Sequence, residues 1–263
     1  MAFGMGCCCL QVTMEATNID QALKTFDILN VLSPIMLGLS ASSPIAMGHL
    51  KNDNTRWNIV SDSVADHGNK ITKEYLRDCG ENIKSRYDIC PCYLAKDNIK
   101  YNNVWVVKDN DIYSQLLSED IPSNLATYIS HLMYFDPVLV FSNDSHEFKS
   151  HQSTVWQNVR LKIPSQIGES WRAEFRPMEI QLTDFENTSM ILFTILFTKS
   201  CLALEINPCI DISKNYQNTS WSAKCRDISS MMFWWKSMET GMEQKLTGIK
   251  NITESMLKQI YLY

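Results

Sequence analysis

Arg172, Glu174 and Arg176 alternate with Trp171, Ala173 and Phe175 inside the run Gly168-Glu-Ser-Trp-Arg-Ala-Glu-Phe-Arg-Pro-Met-Glu-Ile-Gln-Leu-Thr-Asp-Phe-Glu-Asn187. Successive side chains of a β-strand point to opposite faces, so a strand here sets a plus–minus–plus row against an apolar row. Guanidinium groups clamp carboxylate or phosphate oxygens through paired hydrogen bonds. A carboxylate between them is a suitable oxygen ligand for a hard cation such as Mg²⁺. The same spacing also describes a solvated face whose charges compensate each other, because exposed ion pairs are common and cheap. Spacing alone leaves both readings open.

Other residues invite chemistry less strongly. Cys7, Cys8 and Cys9 are adjacent, so on a strand they alternate faces and cannot all reach one ion. Cys90-Pro-Cys92 lacks the spacing and the second pair that a structural zinc site uses. Buried free thiols are the expected reading of both groups. Lys84 and Arg86, one residue apart, are cations that touch phosphate in one reading and cap a loop in the other. No Gly-x-x-x-x-Gly-Lys-Ser/Thr run is present, so an ATP site in this chain is not of the P-loop kind.

Three runs share a resemblance. Trp171 to Asn187 resembles the signature of eukaryotic glutamate–cysteine ligase catalytic subunits, Phe3-Gly-Met-Gly-Cys-Cys-Cys-Leu-Gln-Val-Thr13 resembles a second, and Lys84-Ser-Arg-Tyr-Asp88 a third. They occur in the family's order, and Ser40-Ala-Ser-Ser-Pro44 and Thr55-Arg-Trp57 extend the likeness along the chain. The resemblance implies an α+β fold: a glutamine-synthetase-like antiparallel sheet with helices packed outside it, its concave face holding ATP, Mg²⁺ and glutamate. It implies joining of the γ-carboxylate of L-glutamate to L-cysteine at the cost of ATP. It leaves room for a regulatory (modifier) subunit as a partner. Carried over residue by residue, it makes Met5, Cys7, Cys9, Arg56, Trp156 and Arg176 the glutamate pocket, and Gln11 and Glu174 magnesium ligands. Lys84 and Arg86 are its weaker nucleotide candidates. It gives no thiol a covalent role. The likeness starts part-way through the family's catalytic subunit, whose N-terminal part supplies several metal-binding glutamates. Residues 1–263 are therefore expected to form a single partial catalytic domain that does not turn over at a useful rate in isolation.

The elements that position these residues follow from periodicity. Phe3 to Met14 reads as a strand with Met5, Cys7, Cys9 and Gln11 on one face and Leu10, Val12 and Met14 on the core face. Asn18 caps a helix, with Gln21 as its capping-box partner, that ends before Pro34. Arg56 to Val60 reads as a short strand, Asp66-His-Gly-Asn69 as a turn, and Asp109 to Leu117 and Ser123 to Tyr134 as helices. After a polar loop over 142–155, strands are expected at Val155 to Ile163 and Trp171 to Leu182. Met190 to Leu204 is too short for a membrane span and reads as a buried helix. A polar loop from Ile210 to Gln217 and a helix from Ser220 to Thr240 complete the reading.

Composition bounds the class. The 263 residues are 45% hydrophobic and 20% charged, ordinary for a globular chain that buries a sizeable core. A net charge of −5 and the lack of any basic block exclude a nucleic-acid footprint and a polybasic membrane patch. Nine cysteines, an odd number, without a basic or apolar leader read as reduced thiols in the cytoplasm.

Overall fold

The computed structural model describes residues 9–65, 84–136, 138, 147–164, 168–236 and 244–263. Its centre is helix α1, Ile19–Leu39, fifteen of whose twenty-one residues are buried. A helix apolar on every side must be surrounded. One side of α1 packs on a three-stranded antiparallel sheet built from β1 (Val12–Ala16), β4 (Val159–Lys162) and β5 (Trp171–Phe175). The other side packs on α6 (Asp184–Ala203) and α7 (Ile212–Ala223). Among the described residues α1 is the one helix long and apolar enough to cross a membrane, and 83% of its most apolar window lies inside the fold.

Between β1 and β4 lie a two-stranded ribbon, β2 (Ile45–Ala46) with β3 (His49–Leu50), then α2 (Trp57–Ser63), a 3₁₀ turn at Lys96–Tyr101, α3 (Asn110–Ser118), α4 (Ser123–Tyr134) and α5 (Glu147–Gln152). After α7 come a short 3₁₀ turn, the pair β6 (Met232–Lys236) and β7 (Gln244–Gly248), and α8 (Ile249–Leu262). The architecture is α+β, with helices outside antiparallel strands.

β5 is the middle strand, with Val12 and Val159 opposite Phe175, and Thr13 and Arg160 opposite Glu174. Val12, Met14, Val159, Leu161, Ala173 and Phe175 are all buried in the core. The alternation expected for both signature strands holds, although β1 is shorter than the run from Phe3, whose first residues lie outside the described part. Asn18 accepts the Gln21 amide at 2.9 Å, as expected of a cap, while the Gln21 side chain accepts from Thr17 N at 2.7 Å.

Several expectations need correction. α1 does not stop before Pro34 but runs through it to Leu39. Proline removes the amide that would bond the carbonyl four residues back. That carbonyl, Asn30 O, instead accepts from Asn215 Nδ2 of α7 at 3.0 Å, so a tertiary contact replaces the lost helical bond. The strand expected from Arg56 is a helix, because Trp57, Val60 and Val64 pack together against Leu37 and Tyr87. The loop expected from Ile210 gives way to α7 at Ile212, because Asn215 and Asn218 are polar yet buried, the latter pairing with the Trp234 backbone. The long helix from Ser220 ends at Ala223; Phe233 and Trp235 are buried on a strand. The loop over 142–155 contains α5, and the strands expected to Ile163 and Leu182 end at Lys162 and Phe175. The helix expected at Met190 starts at Asp184 behind a Thr183–Glu186 capping box, and it buries one face, with Leu192 52% exposed on the other. The turn at Asp66 to Asn69 lies outside the described residues.

Two predictions follow from the polar groups around α1. Asn215→Ala should destabilise the fold by about 1–3 kcal/mol in urea unfolding, the cost of an orphaned buried carbonyl. Adding Pro34→Ala supplies an intrahelical donor to Asn30 and should recover part of that loss; additive losses would rule the link out. The second concerns Asp27, which accepts from Leu94 N, Ala95 N and Asn98 Nδ2 at 2.7–2.9 Å. Burial pushes its pKa up from 3.8 to about 7, against the pull of those donors. The folded carboxyl then keeps its proton where the unfolded one has lost it, so stability falls as pH rises from 3.8 to about 7 and then levels. Urea midpoints across that window should show this slope in the parent protein and a flatter one in Asp27→Asn.

Candidate functional site

The face of the sheet turned away from α1 carries Thr13 and Glu15 of β1, Arg160 and Lys162 of β4, and Arg172 and Glu174 of β5. Arg176 follows directly, still in the same row, held by its amide donating to Asn158 O at 3.0 Å. The carboxylate of Glu174 takes a hydrogen bond from Arg176 and a 2.5 Å ion pair from Lys162. Burial pushes the Glu174 pKa up, but these two cations outweigh it and hold the group below the usual carboxylate range.

Arg56 reaches this row from the start of α2. Its guanidinium donates to Arg176 O at 3.1 Å and to the Tyr87 hydroxyl at 3.2 Å. Burial works against its charge, and the neighbouring Tyr87, Glu179 and Cys9 more than restore it, leaving the pKa raised. Burial also raises the Tyr87 hydroxyl, against the pull of Arg56 and Arg176. Cys9 is half-buried, receives Gln11 Nε2 at 3.0 Å and influences both Arg56 and Tyr87. Trp156 packs at the edge of the Trp57–Tyr87 cluster, with its amide on Arg86 O at 2.6 Å.

Cys9, Arg56, Trp156 and Arg176 therefore lie in one neighbourhood, with Gln11 beside Cys9 and Glu174 beside Arg176. Met5 and Cys7 lie outside the described residues. Lys84 and Arg86 do not join the group. Lys84 sits 3.5 Å from the Tyr216 ring centre and 3.5 Å from Asp88, and burial lowers its pKa. Arg86 lies over the Phe135 ring and donates to Asp136 O. Both cations thus make internal contacts, although Arg86 Nη1 is buried without a hydrogen-bond partner.

Two residues of this neighbourhood were not singled out from the sequence. Tyr87 sits in the Lys84–Asp88 run, and Glu179 closes Arg176-Pro-Met-Glu179. The Glu179 carboxylate, 1% exposed, accepts from Arg56 N at 2.5 Å, Ser42 N at 2.7 Å and Ser42 Oγ at 3.3 Å. Its Oε1 also lies 3.5 Å from the Arg56 guanidinium. The Glu179 amide in turn donates to Ser40 Oγ at 3.0 Å. Through its amide and its carboxylate, Glu179 thus ties the end of α1, the start of α2 and the segment after β5 together. The signal was a charge four residues beyond the strand, which alternation alone does not reach.

Elsewhere, the expected buried thiols are Cys90, Cys92, Cys201, Cys209 and Cys225, all free. Among the described residues no group of three or more His, Cys, Asp or Glu is placed to hold a metal. A cavity of about 310 Å³ opens near Lys24, Asn98, Cys201 and Asn207, beside the first half of α1 and away from Arg56 at its far end.

The α+β fold thus turns one face of its sheet to the core and lines the other with charged residues of both signs. The model of the glutamate–cysteine ligase family matches residues 1–262, and the chain belongs to that family. It is 40% identical over 249 residues to the glutamate–cysteine ligase catalytic subunit of Homo sapiens, covering 90% of this chain and 39% of that protein. It is 37% identical over 253 residues to the glutamate–cysteine ligase of Dictyostelium discoideum, covering 90% and 40%. With the Saccharomyces cerevisiae enzyme the identity is 34% over 277 residues. The chain spans about two-fifths of the length of these relatives.

Glu179→Ala should cost about 3–5 kcal/mol, because it leaves the buried Arg56 charged and unpaired. Arg56→Met added to it should recover part of that. Denaturant unfolding of the parent, both single variants and the double variant checks the coupling, and strictly additive losses would show there is none.

Proposed function

We propose that this chain supports ATP-dependent ligation of the γ-carboxylate of L-glutamate to the amine of L-cysteine, the first step of glutathione biosynthesis, in the cytosol. The supporting observation is the convergence of Arg56 and Arg176 with Cys9, Tyr87 and Trp156, on the same side of the sheet as Glu174. On this reading the open side of the strands serves as the concave face of a glutamine-synthetase-like sheet.

The reaction has two displacements. A γ-carboxylate oxygen of glutamate attacks the terminal phosphorus of ATP, releasing ADP and leaving a γ-glutamyl phosphate. The cysteine amine then attacks the acyl carbon, phosphate departs, and the amine gives up a proton. No protein nucleophile is required, so the protein contributes position and charge compensation. The two arginines hold carboxylate oxygens of glutamate, and Cys9 and Trp156 shape the space around its chain; the family resemblance assigns Met5 and Cys7, outside the described residues, to the same pocket. Arg56 meets the requirement for a fixed guanidinium, since Tyr87 and the Arg176 carbonyl orient it and Glu179 holds its backbone.

Magnesium is commonly held by one or two carboxylates together with substrate phosphates and water. Gln11 and Glu174 fit that pattern. The Gln11 nitrogen is engaged by Cys9, which leaves its carbonyl oxygen for a ligand, and Glu174 offers an ionised carboxylate on the same face. Bound there with ATP, the ion would neutralise charge on the transferring phosphoryl group. L-glutamate, L-cysteine and ATP are the proposed ligands, with a regulatory subunit as partner.

A second reading is favoured by the double pairing of Glu174 with Lys162 and Arg176, which already neutralises that carboxylate. The chain would then bind glutamate or a partner subunit without turnover. Incubation with ATP, Mg²⁺, glutamate and cysteine separates the two. γ-Glutamylcysteine formation by this chain establishes the ligase and overturns the expectation that it is idle in isolation; glutamate binding without product from a full-length protein that carries this segment establishes the second reading.

Arg176→Lys should weaken glutamate binding roughly ten- to hundredfold, since an ammonium cannot reproduce the planar fork and a charge-assisted bond contributes about 1.5–3 kcal/mol. Glu174→Gln should leave glutamate binding closer to normal and raise the magnesium requirement. Calorimetric titration of each variant with glutamate and with Mg²⁺–ATP checks the split. Unchanged titrations for both would reduce this strand to a solvated face.

A further inference from the structure

A second place in the fold is shaped to hold a small molecule. The cavity of about 310 Å³ beside the first half of α1 lies where α1, the 3₁₀ turn at Lys96–Tyr101, the end of α6 and the chain just after it meet. Its volume falls at the lower end of the range of small-molecule sites, roughly 300–1,000 Å³, which suits an amino acid better than a nucleotide. Ile28, Leu202 and Ile206 give it an apolar wall, and Asn98 and Cys201, both buried, close its floor. Asn98 is fixed in place. Its Nδ2 donates to Asp27 Oδ2 at 2.8 Å, and its Oδ1 accepts from Asn207 Nδ2 at 2.5 Å. Asn207 Oδ1 in turn accepts from Cys209 N at 2.9 Å. A floor braced in this way has little ordering left to lose when a ligand enters.

The mouth of the cavity is charged. Lys24, Asp97 and Glu205 line it and are exposed. Among the described residues their side chains form no hydrogen bond or ion pair, so each charge is left for whatever enters. Two carboxylates against one ammonium make the mouth negative. The C-terminal end of α6 adds to this, because a helix C-terminus carries partial negative charge that a basic residue in the last turn offsets, and α6 has none there. Glu205 itself stands in a left-handed backbone conformation, φ 53°, directly after the cap residue Leu204. Glycine is the usual residue at that position, where the next amide, Ile206 N, closes the turn on Cys201 O at 2.8 Å. A glutamate there gives up backbone ease and sets a carboxylate on the cavity.

We propose that this cavity binds a basic amino acid. Its two ammonium groups meet Asp97 and Glu205, its carboxylate meets Lys24, and its aliphatic stem lies along Ile28, Leu202 and Ile206. The charges match group for group. A diamine leaves Lys24 without a counterpart, and an amino acid with an apolar side chain leaves one carboxylate bare. An acidic amino acid brings a second negative group to a mouth that is already negative. Exposed ion pairs are individually weak, so affinity comes from the three acting together with burial of the stem. The cavity is separate from the open face of the sheet, so this site and the ligase reading stand or fall independently.

Isothermal titration of the 263-residue chain with L-lysine, cadaverine (lysine without its carboxylate) and L-norleucine (lysine without its second ammonium) tests the site. The variants are Asp97→Asn, Glu205→Gln, Glu205→Gly and Lys24→Gln, with Asp62→Asn and Lys224→Gln, both exposed, as charge controls. Circular dichroism confirms folding. L-lysine should bind more tightly than either analogue and lose affinity with salt. Asp97→Asn and Glu205→Gln should each weaken it roughly three- to tenfold, and the controls should stay within about twofold. Lys24→Gln should weaken L-lysine and L-norleucine but not cadaverine. Glu205→Gly should raise the urea midpoint, because it relieves the left-handed residue, and still weaken L-lysine, which separates loss of the site from loss of the fold. No saturable binding of L-lysine to the folded parent up to about 10 mM, or binding that none of the mouth variants changes, would overturn the site. Cadaverine binding as tightly as L-lysine would overturn the assignment of an amino acid.

Discussion

Helix α1 has almost no side that tolerates water, and the rest of the molecule is arranged to satisfy that. Burying Phe26, Leu29, Leu32, Ile35 and Met36 on all sides demands a sheet beneath and helices above. The sheet can give only one face to this task, because its side chains alternate. Its other face is left free to be polar, and the sheet residues proposed for chemistry that the structure describes, Glu174 and Arg176, lie on it. The division between core and site is thus a consequence of one helix being apolar all round.

A core of this kind is costly wherever a polar group enters it, and several enter. Asn30 accepts from Asn158 Nδ2 at 2.9 Å and from Asn215 at its carbonyl, and Asn158 Oδ1 accepts from Cys90 N at 2.7 Å. The Asn158 carbonyl in turn holds the amide of Arg176. A chain of amides therefore runs from the proline-interrupted turn of α1 to the backbone of a proposed site residue. Asp27 plays a similar part near the other end of the helix, fixing the Leu94–Asn98 segment. These bonds link the sheet to the helix, although Asn30 Nδ2 and Asn215 Oδ1 are buried without a hydrogen-bond partner.

Local patterns carried much of this. Two-residue alternation in Trp171–Phe175 and at Val12 and Met14 separated core from open face, and the apolar stripe of α4 and the Asn18 cap were readable as they stand. What failed was decided at a distance. Pro34 reads as a stop until Asn215, far along the chain, takes its orphaned carbonyl. Asn215 and Asn218 read as loop because polarity usually means exposure. Arg56 sat in a stretch read as strand, while its role comes from Glu179, 123 residues away. Of the proposed site, the charged residues of the signature strand were legible. Tyr87 and Glu179 were not, because their importance lies in what they hold.

The position of β5 between β1 and β4 also determines how the gene can tolerate length changes. Phe175 and Glu174 are consecutive, one in the core and one on the open face, and both neighbouring strands are keyed to them. A single inserted or deleted codon within this strand would exchange the two faces, placing charges against α1 and aromatic rings in solvent. The same change in the connection that precedes it, around Gly168, leaves the pairing intact. Length variation in this part of the chain is therefore confined to the connection, and the strand can change only by substitution.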